Sequence, residues 1–188
     1  FAVLLIGAVI GSFLIGWEIG LRRASHIRVV IGFHPSYYEI DWSRLLAKAH
    51  RVDIVVCYFD NWAKNNWEAL RQVFARGGIV TIFMTNPDNR KHMAIVQDRF
   101  PEHSREKLKS LIWDTARILE DARRKSLSTT AELRVYFYDG TLNYSCVRID
   151  SEVVVFSAYE QFRQRRIANS AIILDLRQSE HLHSFFEK

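Results

Sequence analysis

The sequence predicts a mixed α/β domain with a largely parallel sheet flanked by helices, preceded by one N-terminal transmembrane helix. Residues 2–21 are almost wholly apolar, β-branched runs alternate with helical stripes from residue 27 onward, and 48% of the 188 residues are hydrophobic. About 160 residues follow the apolar segment, which is enough for one hydrophobic core. We therefore expect two units: an anchor over residues 1–23 and one globular domain over residues 27–188.

The composition excludes several classes of protein. Aromatic residues make up 13% of the chain, whereas disordered chains are poor in them. Two cysteines and three prolines are too few for a disulfide scaffold or a proline-rich fibre. Cys57 and Cys146 fall in predicted strands, where we expect small apolar core groups. The net charge of +5 permits an anionic partner without requiring one, because the basic residues are spread along the chain.

The apolar segment 2–21 predicts a membrane-spanning helix. Twenty helical residues span about 30 Å, the thickness of a bilayer's hydrocarbon core, and Glu18 is the only charged residue in the segment. Arg22, Arg23 and Arg28 follow, and a basic flank of this kind stays cytoplasmic. We therefore expect a single-pass protein of the inner or plasma membrane, with a cytoplasmic domain and the lipid bilayer as a partner. The alternative is a buried core helix.

Small residues recur at helical spacing along the predicted anchor. They form two rows on roughly opposite faces: Gly7 and Gly11, and Ser12, Gly16 and Gly20. Rows of this kind let membrane helices pack closely, so they predict a homo-oligomer. Glu18 projects from nearly the same face as Gly7, where an acidic group would meet a partner or water. The alternative places Glu18 at the headgroup boundary.

The first half of the domain shows strands and helices in alternation. Apolar runs predict strands over residues 27–33, 52–59 and 79–84. Asp41 can cap a short helix through about residue 50. An apolar stripe predicts a second helix over residues 62–76, which Gly77 and Gly78 end. This alternation implies crossover connections and hence a largely parallel sheet.

The second half begins with a long helix and continues with strands. Ser104 starts an amphipathic helix that runs to about residue 127. Four apolar runs predict strands over residues 133–138, 146–149, 153–156 and 171–176. A terminal helix is expected from Ser179. Because no second linker or repeat interrupts this region, it belongs to the same domain.

The stretch 133–161 reads LRVYFYDGTLNYSCVRIDSEVVVFSAYEQ. It resembles the signature region of the phospholipase D superfamily, in which His-x-Lys is followed after four residues by Asp, then by a strand, Gly-Ser and an Asn. The preceding order of strands and helices is similar to that family as well. The resemblance implies one half of a phospholipase D-like fold. It also implies a homodimer or higher assembly, because family members place two such halves face to face.

Only the aspartate of that motif is kept in this sequence. The matching positions are Asn143 for His, Ser145 for Lys, Asp150 for Asp, Ser157 for the Gly-Ser pair and Gln161 for Asn. The resemblance implies that an imidazole attacks a phosphodiester while the Lys neutralises the phosphate oxygens. Asn143 has no basic lone pair of that kind and Ser145 carries no charge, so we predict that the family mechanism is lost. No catalytic residue is assigned.

A basic cluster follows the motif. The residues expected to surround an anionic ligand are Arg163, Arg165 and Arg166, with Asp60, Asn61, Asn143 and Asp150 at the mouth. The ligand would be a nucleotide or a nucleic-acid backbone; the alternative is a solvated charge run beside anionic lipid. Alternation along a strand places Arg148 on the face opposite Asn143 and Ser145.

No metal and no cofactor are predicted. His181 and His183 lie two apart, on different faces of the last predicted helix, while His92 and His103 are isolated. The sequence has no Gly-rich phosphate loop and no serine nucleophile elbow. His34 ends the first predicted strand, where a parallel sheet presents functional groups.

The residues and the resemblance together favour a binding module over an enzyme. We expect a membrane-anchored, catalytically degenerate phospholipase D-like protein that oligomerises, senses a ligand or protein partner and acts at the membrane. Effectors of bacterial defence systems offer an analogy for this arrangement. The alternative is a phosphodiesterase or nuclease that uses His34 with Asp60 or Asp150. A third hypothesis is a structural tether for a partner complex.

Overall fold

The computed structural model describes residues 30–140, 142–158 and 170–178. These residues form one sheet and five helices. The strands are β1 (Val30–His34), β2 (Arg51–Val56), β3 (Ile79–Thr85), β4 (Glu132–Tyr138), β5 (Tyr144–Ile149), β6 (Val153–Ala158) and β7 (Ala171–Asp175). The helices are α1 (Trp42–Leu46), α2 (Asp60–Asn65), α3 (Trp67–Ala75), α4 (Arg90–Arg99) and α5 (Arg105–Lys125). Short 3-10 turns lie at Tyr37–Glu39 and Leu176–Gln178.

The strand order in the sheet is β1-β7-β6-β5-β2-β3-β4. β3 pairs in parallel with both β2 and β4, whereas the other four neighbouring pairs are antiparallel. The mixed α/β fold is therefore confirmed, but the prediction of a largely parallel sheet is wrong. The connections give the reason: β5 and β6 are joined by residues 150–152 alone, and so short a turn can only reverse the chain. In addition, β1 lies beside β7 rather than beside β2.

Local capping fixes several helix boundaries. The side-chain oxygen of Asp41 accepts a hydrogen bond from the backbone N–H of Arg44 (3.0 Å) at the start of α1. Ser104 accepts in the same way from Lys107 (3.1 Å) at the start of α5. Gly77 ends α3 in the left-handed region, with φ of 76°, which glycine adopts without strain. These three boundaries confirm the predicted cap at Asp41, the predicted helix start at Ser104 and the predicted glycine stop. The side-chain cap by Ser104 itself was not predicted.

The predicted single helix over residues 62–76 is split in two. At Asn66 the backbone leaves helical geometry, with φ of −109° and ψ of 15°. The Asn66 side-chain amide donates to the Trp62 carbonyl (2.9 Å), which also accepts the helical hydrogen bond from the Asn66 backbone N–H (2.9 Å). The result is two shorter helices, α2 and α3, that meet at this residue.

Helix α4 has no counterpart among the predicted elements. Its buried side chains are Met93 and Val96 alone, so its apolar stripe is weak. Its start is nevertheless well defined, because the Asn89 side chain accepts a hydrogen bond from the His92 N–H (3.2 Å). In the sequence, an asparagine cap followed by two apolar residues three positions apart is only a weak indication of a helix.

The core lies between one face of the sheet and the helices. Alternate residues of the central strands are fully buried on this helix-bearing face: Val52, Ile54 and Val56 in β2, and Val80, Ile82 and Met84 in β3. Leu70, Phe74 and Ile112 of the helices are buried in the same cluster. Since hydrophobic burial is the main force in folding, this layer is what fixes the position of every strand end.

Several predictions concern residues outside the described ranges. These are the anchor over residues 1–23 with its small-residue rows, the motif position Gln161, the cluster of Arg163, Arg165 and Arg166, and the terminal helix with His181 and His183. They stay predictions. Within the part of the chain that the structure describes, no helix has the length and apolar character needed to span a bilayer.

Candidate functional site

The sheet topology brings the motif positions to one end of the sheet. The described strand ends that meet there carry His34 (β1), Cys57 (after β2), Asn143 and Ser145 (β5), Ser157 (β6) and Ala171 (β7). We call this end the motif rim. The antiparallel insertion of β5 beside β2 creates the rim, because it sets the start of β5 against the end of β2.

An arginine holds the residue at the nucleophile position. Nη2 of Arg99, the last residue of α4, donates to Oδ1 of Asn143 (2.8 Å). Nη1 of Arg99 donates to the Leu142 carbonyl and lies 3.7 Å from the Cys57 sulfur. Asn143 is exposed and Arg99 is half-buried. The rim therefore presents an amide fixed by a cation where the motif resemblance implies an imidazole.

Ser145, at the position where the resemblance implies a lysine, has a buried hydroxyl. Ser145 faces Ser157 across the β5–β6 ladder, and both side chains are almost inaccessible to solvent. The Ser145 hydroxyl donates to the Ser157 carbonyl (3.5 Å), and the Ser157 hydroxyl donates to the Ser170 carbonyl (2.8 Å). Both hydroxyls are thus used to join neighbouring strands, and neither supplies charge at the rim.

Asp150 lies at the opposite end of β5. Seven residues of extended chain separate Asn143 from Asp150, a distance of about 23 Å. Oδ1 of Asp150 accepts hydrogen bonds from the backbone N–H groups of His50 (3.0 Å) and Arg51 (2.7 Å). The Asp150 backbone itself has a φ of 50°, in the left-handed region. Asp150 therefore closes the β5–β6 turn against the start of β2, and it does not join Asn143 and Asp60 at the expected mouth.

The predicted side of Arg148 is confirmed. Arg148 points to the sheet face away from the helices, where its Nη2 pairs with Asp53 Oδ2 at 2.8 Å. The pair is largely buried, and Arg51 contacts the same carboxylate at 3.0 Å. Cys146 lies on this face too, and burial raises the pKa of its thiol to about 12. These groups stabilise the sheet and stand apart from the motif rim.

The residues of the hydrolytic alternative are not assembled into one site. Asp60, at the start of α2, is buried; one oxygen pairs with Lys64 Nζ (3.0 Å), while the other has no partner among the described residues. His34 is half-buried at the motif rim, so it lies at the opposite end of the sheet from Asp150. No hydrogen bond or ion pair between described residues joins His34 to Asp60.

Aromatic side chains pack against one another beside the motif rim, near the end of α4. Tyr58 packs edge-on against Phe100 (5.0 Å between ring centroids) and lies 6.1 Å from the His103 ring. Burial raises the pKa of Tyr58 above its usual range, and the nearby Glu102 and Asp60 add to the shift. Tyr58 is therefore a neutral phenol at every physiological pH. Among the described residues, no group of three or more side chains is arranged to hold a metal ion.

Arg99 is the site residue that sequence reasoning missed. It lies on α4, the helix without a predicted counterpart, and 44 positions before Asn143. No motif links the two residues, because the contact depends on where α4 packs rather than on local spacing. The sequence offered one hint about Arg99: it stands next to Phe100 and shortly before Ser104, where the next helix begins.

Comparisons with known proteins give distant structural likenesses. No family model matches the chain, and no curated protein sequence matches it. TrmBL2, described as an archaeal chromatin protein with a novel mode of DNA binding, is similar over 97% of this chain at 12% identity, with a TM-score of 0.48. A phosphatidylserine synthase from Haemophilus influenzae Rd KW20 is similar over 82% of this chain at 11% identity, with a TM-score of 0.43.

The chain spans 60% of the length of the chromatin protein and 36% of that of the synthase. The synthase belongs to the phospholipase D superfamily. At TM-scores of this size, neither likeness assigns the chain a family or an activity.

Proposed function

We propose that the protein is a membrane-anchored binding and oligomerisation module, related to one half of a phospholipase D-type enzyme but without its catalytic chemistry. The observation that carries this proposal is the state of Asn143. It occupies the nucleophile position of the resemblance, and its side-chain oxygen accepts a hydrogen bond from Arg99 at 2.8 Å. A fixed amide at that position can bind but cannot form a covalent intermediate.

The chemistry of the rim supports binding without turnover. The nitrogen of an amide is a hydrogen-bond donor and has no basic lone pair, so Asn143 can neither attack phosphorus nor move a proton. The buried Ser145 hydroxyl donates to a carbonyl and supplies no positive charge. A covalent phosphoryl route would need both missing functions.

The cation at the rim favours an anionic ligand. The guanidinium of Arg99 is half-buried and carries a permanent charge, and its N–H groups already contact Leu142 and Asn143, so what it offers a ligand at the rim is positive charge. The connection that carries Arg163, Arg165 and Arg166 leaves β6 after Ala158 and enters β7 at Ala171, and both positions lie at the motif rim. A nucleotide or the backbone of a nucleic acid would satisfy these cations.

The predicted anchor places this binding event next to the membrane. In the proposal, residues 1–23 hold the domain at the cytoplasmic surface, and the small-residue rows with Glu18 let several copies assemble. Ligand or partner binding at the rim would then change that assembly, as membrane effectors of defence systems do by analogy. Cell fractionation checks the anchor: the full chain should stay with membranes after a high-salt wash.

A binding titration with a paired turnover assay tests the proposal. The full chain, kept in a mild non-ionic detergent, is titrated with nucleoside mono-, di- and triphosphates and with a short single-stranded oligonucleotide. The same samples are incubated with bis(p-nitrophenyl) phosphate. We expect one of these anions to bind, no release of nitrophenol, and binding about 10- to 100-fold weaker in Arg99→Gln, since the substitution removes the positive charge beside the ligand.

Arg117 provides the matched control. It is an exposed arginine on α5 that pairs with Asp114, away from the motif rim, so Arg117→Gln should bind as the wild type does. Equal binding by the Arg99 and Arg117 variants would contradict a site at Arg99. Turnover of the phosphodiester that survives Asn143→Ala would instead support the nuclease alternative with other catalytic groups.

A further inference from the structure

Strand β4 ends the described sheet with an open edge. It pairs with β3 on one side and is the last strand in the order. Its seven residues, ELRVYFY, contain no proline or lysine, its two charged side chains, Glu132 and Arg134, pair with each other, and its register with β3 is unbroken. Natural edge strands use proline, charged side chains (lysine above all) or a bulge to prevent pairing with another chain. The edge strand β1 does have a register shift, between Val30 and Gly32.

The hydrogen bonds of β4 show which residues face the open edge. The Glu132 N–H donates to the Gly78 carbonyl (3.2 Å), and the Tyr138 carbonyl accepts from the Asn86 N–H (3.1 Å). The even-numbered residues of β4 therefore direct their backbone groups towards β3. Since backbone direction alternates along a strand, the N–H and C=O groups of Leu133, Val135 and Phe137 point outward.

Exposed aromatic side chains surround this edge. Phe83 and Tyr136 stack on the face away from the helices, with ring centroids 4.9 Å apart. On the helix-bearing face, Trp113 of α5 packs edge-on against Phe137 at the same distance. These four side chains and Tyr138 are each more than a third exposed. Exposed apolar groups gathered in one place mark an interaction surface.

We propose that a second copy of this chain pairs with β4 as an antiparallel strand, about a twofold axis at Val135. In this register Leu133 lies opposite Phe137 of the partner subunit, and Val135 lies opposite the partner's Val135. Each of these facing pairs exchanges two backbone hydrogen bonds, up to about six in all. The two sheets become one continuous sheet whose helices lie on the same side.

The side chains favour this register over its neighbours. Arg134 pairs with Glu132 of its own strand and would lie opposite the partner's Tyr136, so each guanidinium would also meet an aromatic ring. An axis at Arg134 would instead set two arginines against each other, which costs free energy. An axis at Leu133 or at Tyr136 would shorten the overlap of the two strands. Pairing at Val135 uses all seven residues and leaves neither copy of β4 open.

The proposed interface deepens the oligomerisation part of the proposed function and rests on it. It does not include Arg99 or Asn143. A monomeric variant should therefore still bind the anion at the motif rim, so the two proposals can fail separately.

Cysteine cross-linking of the full chain in mild detergent tests the register. At the axis, the Cα atoms of Val135 and the partner's Val135 would lie about 5.5 Å apart, within the range of a disulfide. Val135→Cys should form a disulfide-linked dimer under mild oxidation. Tyr138→Cys is the matched control, because its symmetry mate would lie about 20 Å away along the strand. The native Cys57 and Cys146 are buried, so the wild type should stay unlinked.

A proline variant tests the backbone hydrogen bonds without disturbing β3. The Val135 N–H points outward, so Val135→Pro removes no bond of the described ladder. We expect the wild type to show a protein mass twice the 22.0 kDa of one chain, and Val135→Pro to dissociate at least about tenfold more readily. Val135→Ala, which keeps the N–H, should remain a dimer.

Three results would overturn the proposal. One is a wild-type chain that stays monomeric at all concentrations. Another is a dimer that Val135→Pro leaves intact and Val135→Cys cannot link, which would place the interface elsewhere. The third is a different protein that co-purifies with the wild type and is lost from Val135→Pro, since β4 would then serve a foreign partner.

Discussion

The two ends of β5 carry different halves of one sequence motif. At the motif rim, Asn143 and Ser145 stand where the resemblance implies a nucleophile and a cation, and they offer an amide and a buried hydroxyl. At the other end, Asp150 matches the motif and accepts two backbone N–H groups of the neighbouring chain segment. The comparison shows that the matched positions lie about 23 Å apart on one strand, and that the aspartate among them serves the fold.

In the proposed relationship to phospholipase D-type enzymes, this separation lets one end lose its chemistry while the fold persists. Asp150 joins the β5–β6 turn to β2 through its side chain and through its own N–H, which donates to the Arg51 carbonyl (2.8 Å). The groups at the motif rim make fewer contacts that hold the sheet together. We therefore expect substitutions at the two ends to differ in their effect on the free energy of unfolding.

The largest expected effect is at Asp150. Asp150→Ala removes the acceptor for two N–H groups and places a Cβ-bearing residue without a local hydrogen bond at φ of 50°. We expect the free energy of unfolding to fall by about 2–3 kcal/mol, measured by chemical denaturation of the full chain. Asp150→Asn keeps an acceptor oxygen and tolerates the left-handed region, so it should lose less than half as much. An unchanged denaturation midpoint in Asp150→Ala would show that this residue does not stabilise the fold.

A smaller effect is expected for the serine pair at the motif rim. Ser157→Ala removes a buried hydrogen bond of 2.8 Å to the Ser170 carbonyl and leaves that carbonyl without this donor. The expected loss is about 1 kcal/mol. Ser145→Ala serves as the comparison, because its 3.5 Å bond lies at the limit of hydrogen bonding. If the two variants lose the same free energy of unfolding, hydrogen-bond length does not determine how much each serine stabilises the fold.

The smallest effect is expected at Asn143. Its side chain is exposed and shares a hydrogen bond with Arg99, so Asn143→Ala should change the free energy of unfolding by less than about 0.5 kcal/mol. The same denaturation series measures it. A loss as large as that of Asp150→Ala would mean that both ends of β5 hold the fold, and the distinction between them would disappear.

The sequence was a good guide to elements with strong local patterns. Several elements lie where the pattern predicts: the apolar runs that form β2 and β3, the Asp41 cap, and the amphipathic helix α5 that starts after Ser104. The alternation that puts Arg148 on the face opposite Ser145 is confirmed as well. In each case the deciding interaction lies within a few residues, which is the range that periodicity and capping report.

Long-range packing decides what the sequence did not predict. The partner of β5 is β2, which lies about 95 residues earlier, and no local pattern encodes that choice. The same holds for Arg99, which reaches Asn143 because α4 packs beside the rim. Asn66 shows a local failure: its backbone leaves helical geometry inside a segment whose apolar stripe continues unbroken. The anchor and the arginine cluster after β6 lie outside the described residues and stay predictions.

The place of β5 between β2 and β6 has a consequence for how the molecule comes apart. A strand from late in the chain is inserted beside one from its beginning, so neither portion has a complete sheet without the other. Loss of β5 would expose the edge of β2 and detach β6, β7 and β1 together. A protease cut in the loop before β5 should therefore leave two fragments that remain associated until the whole domain unfolds in a single cooperative step.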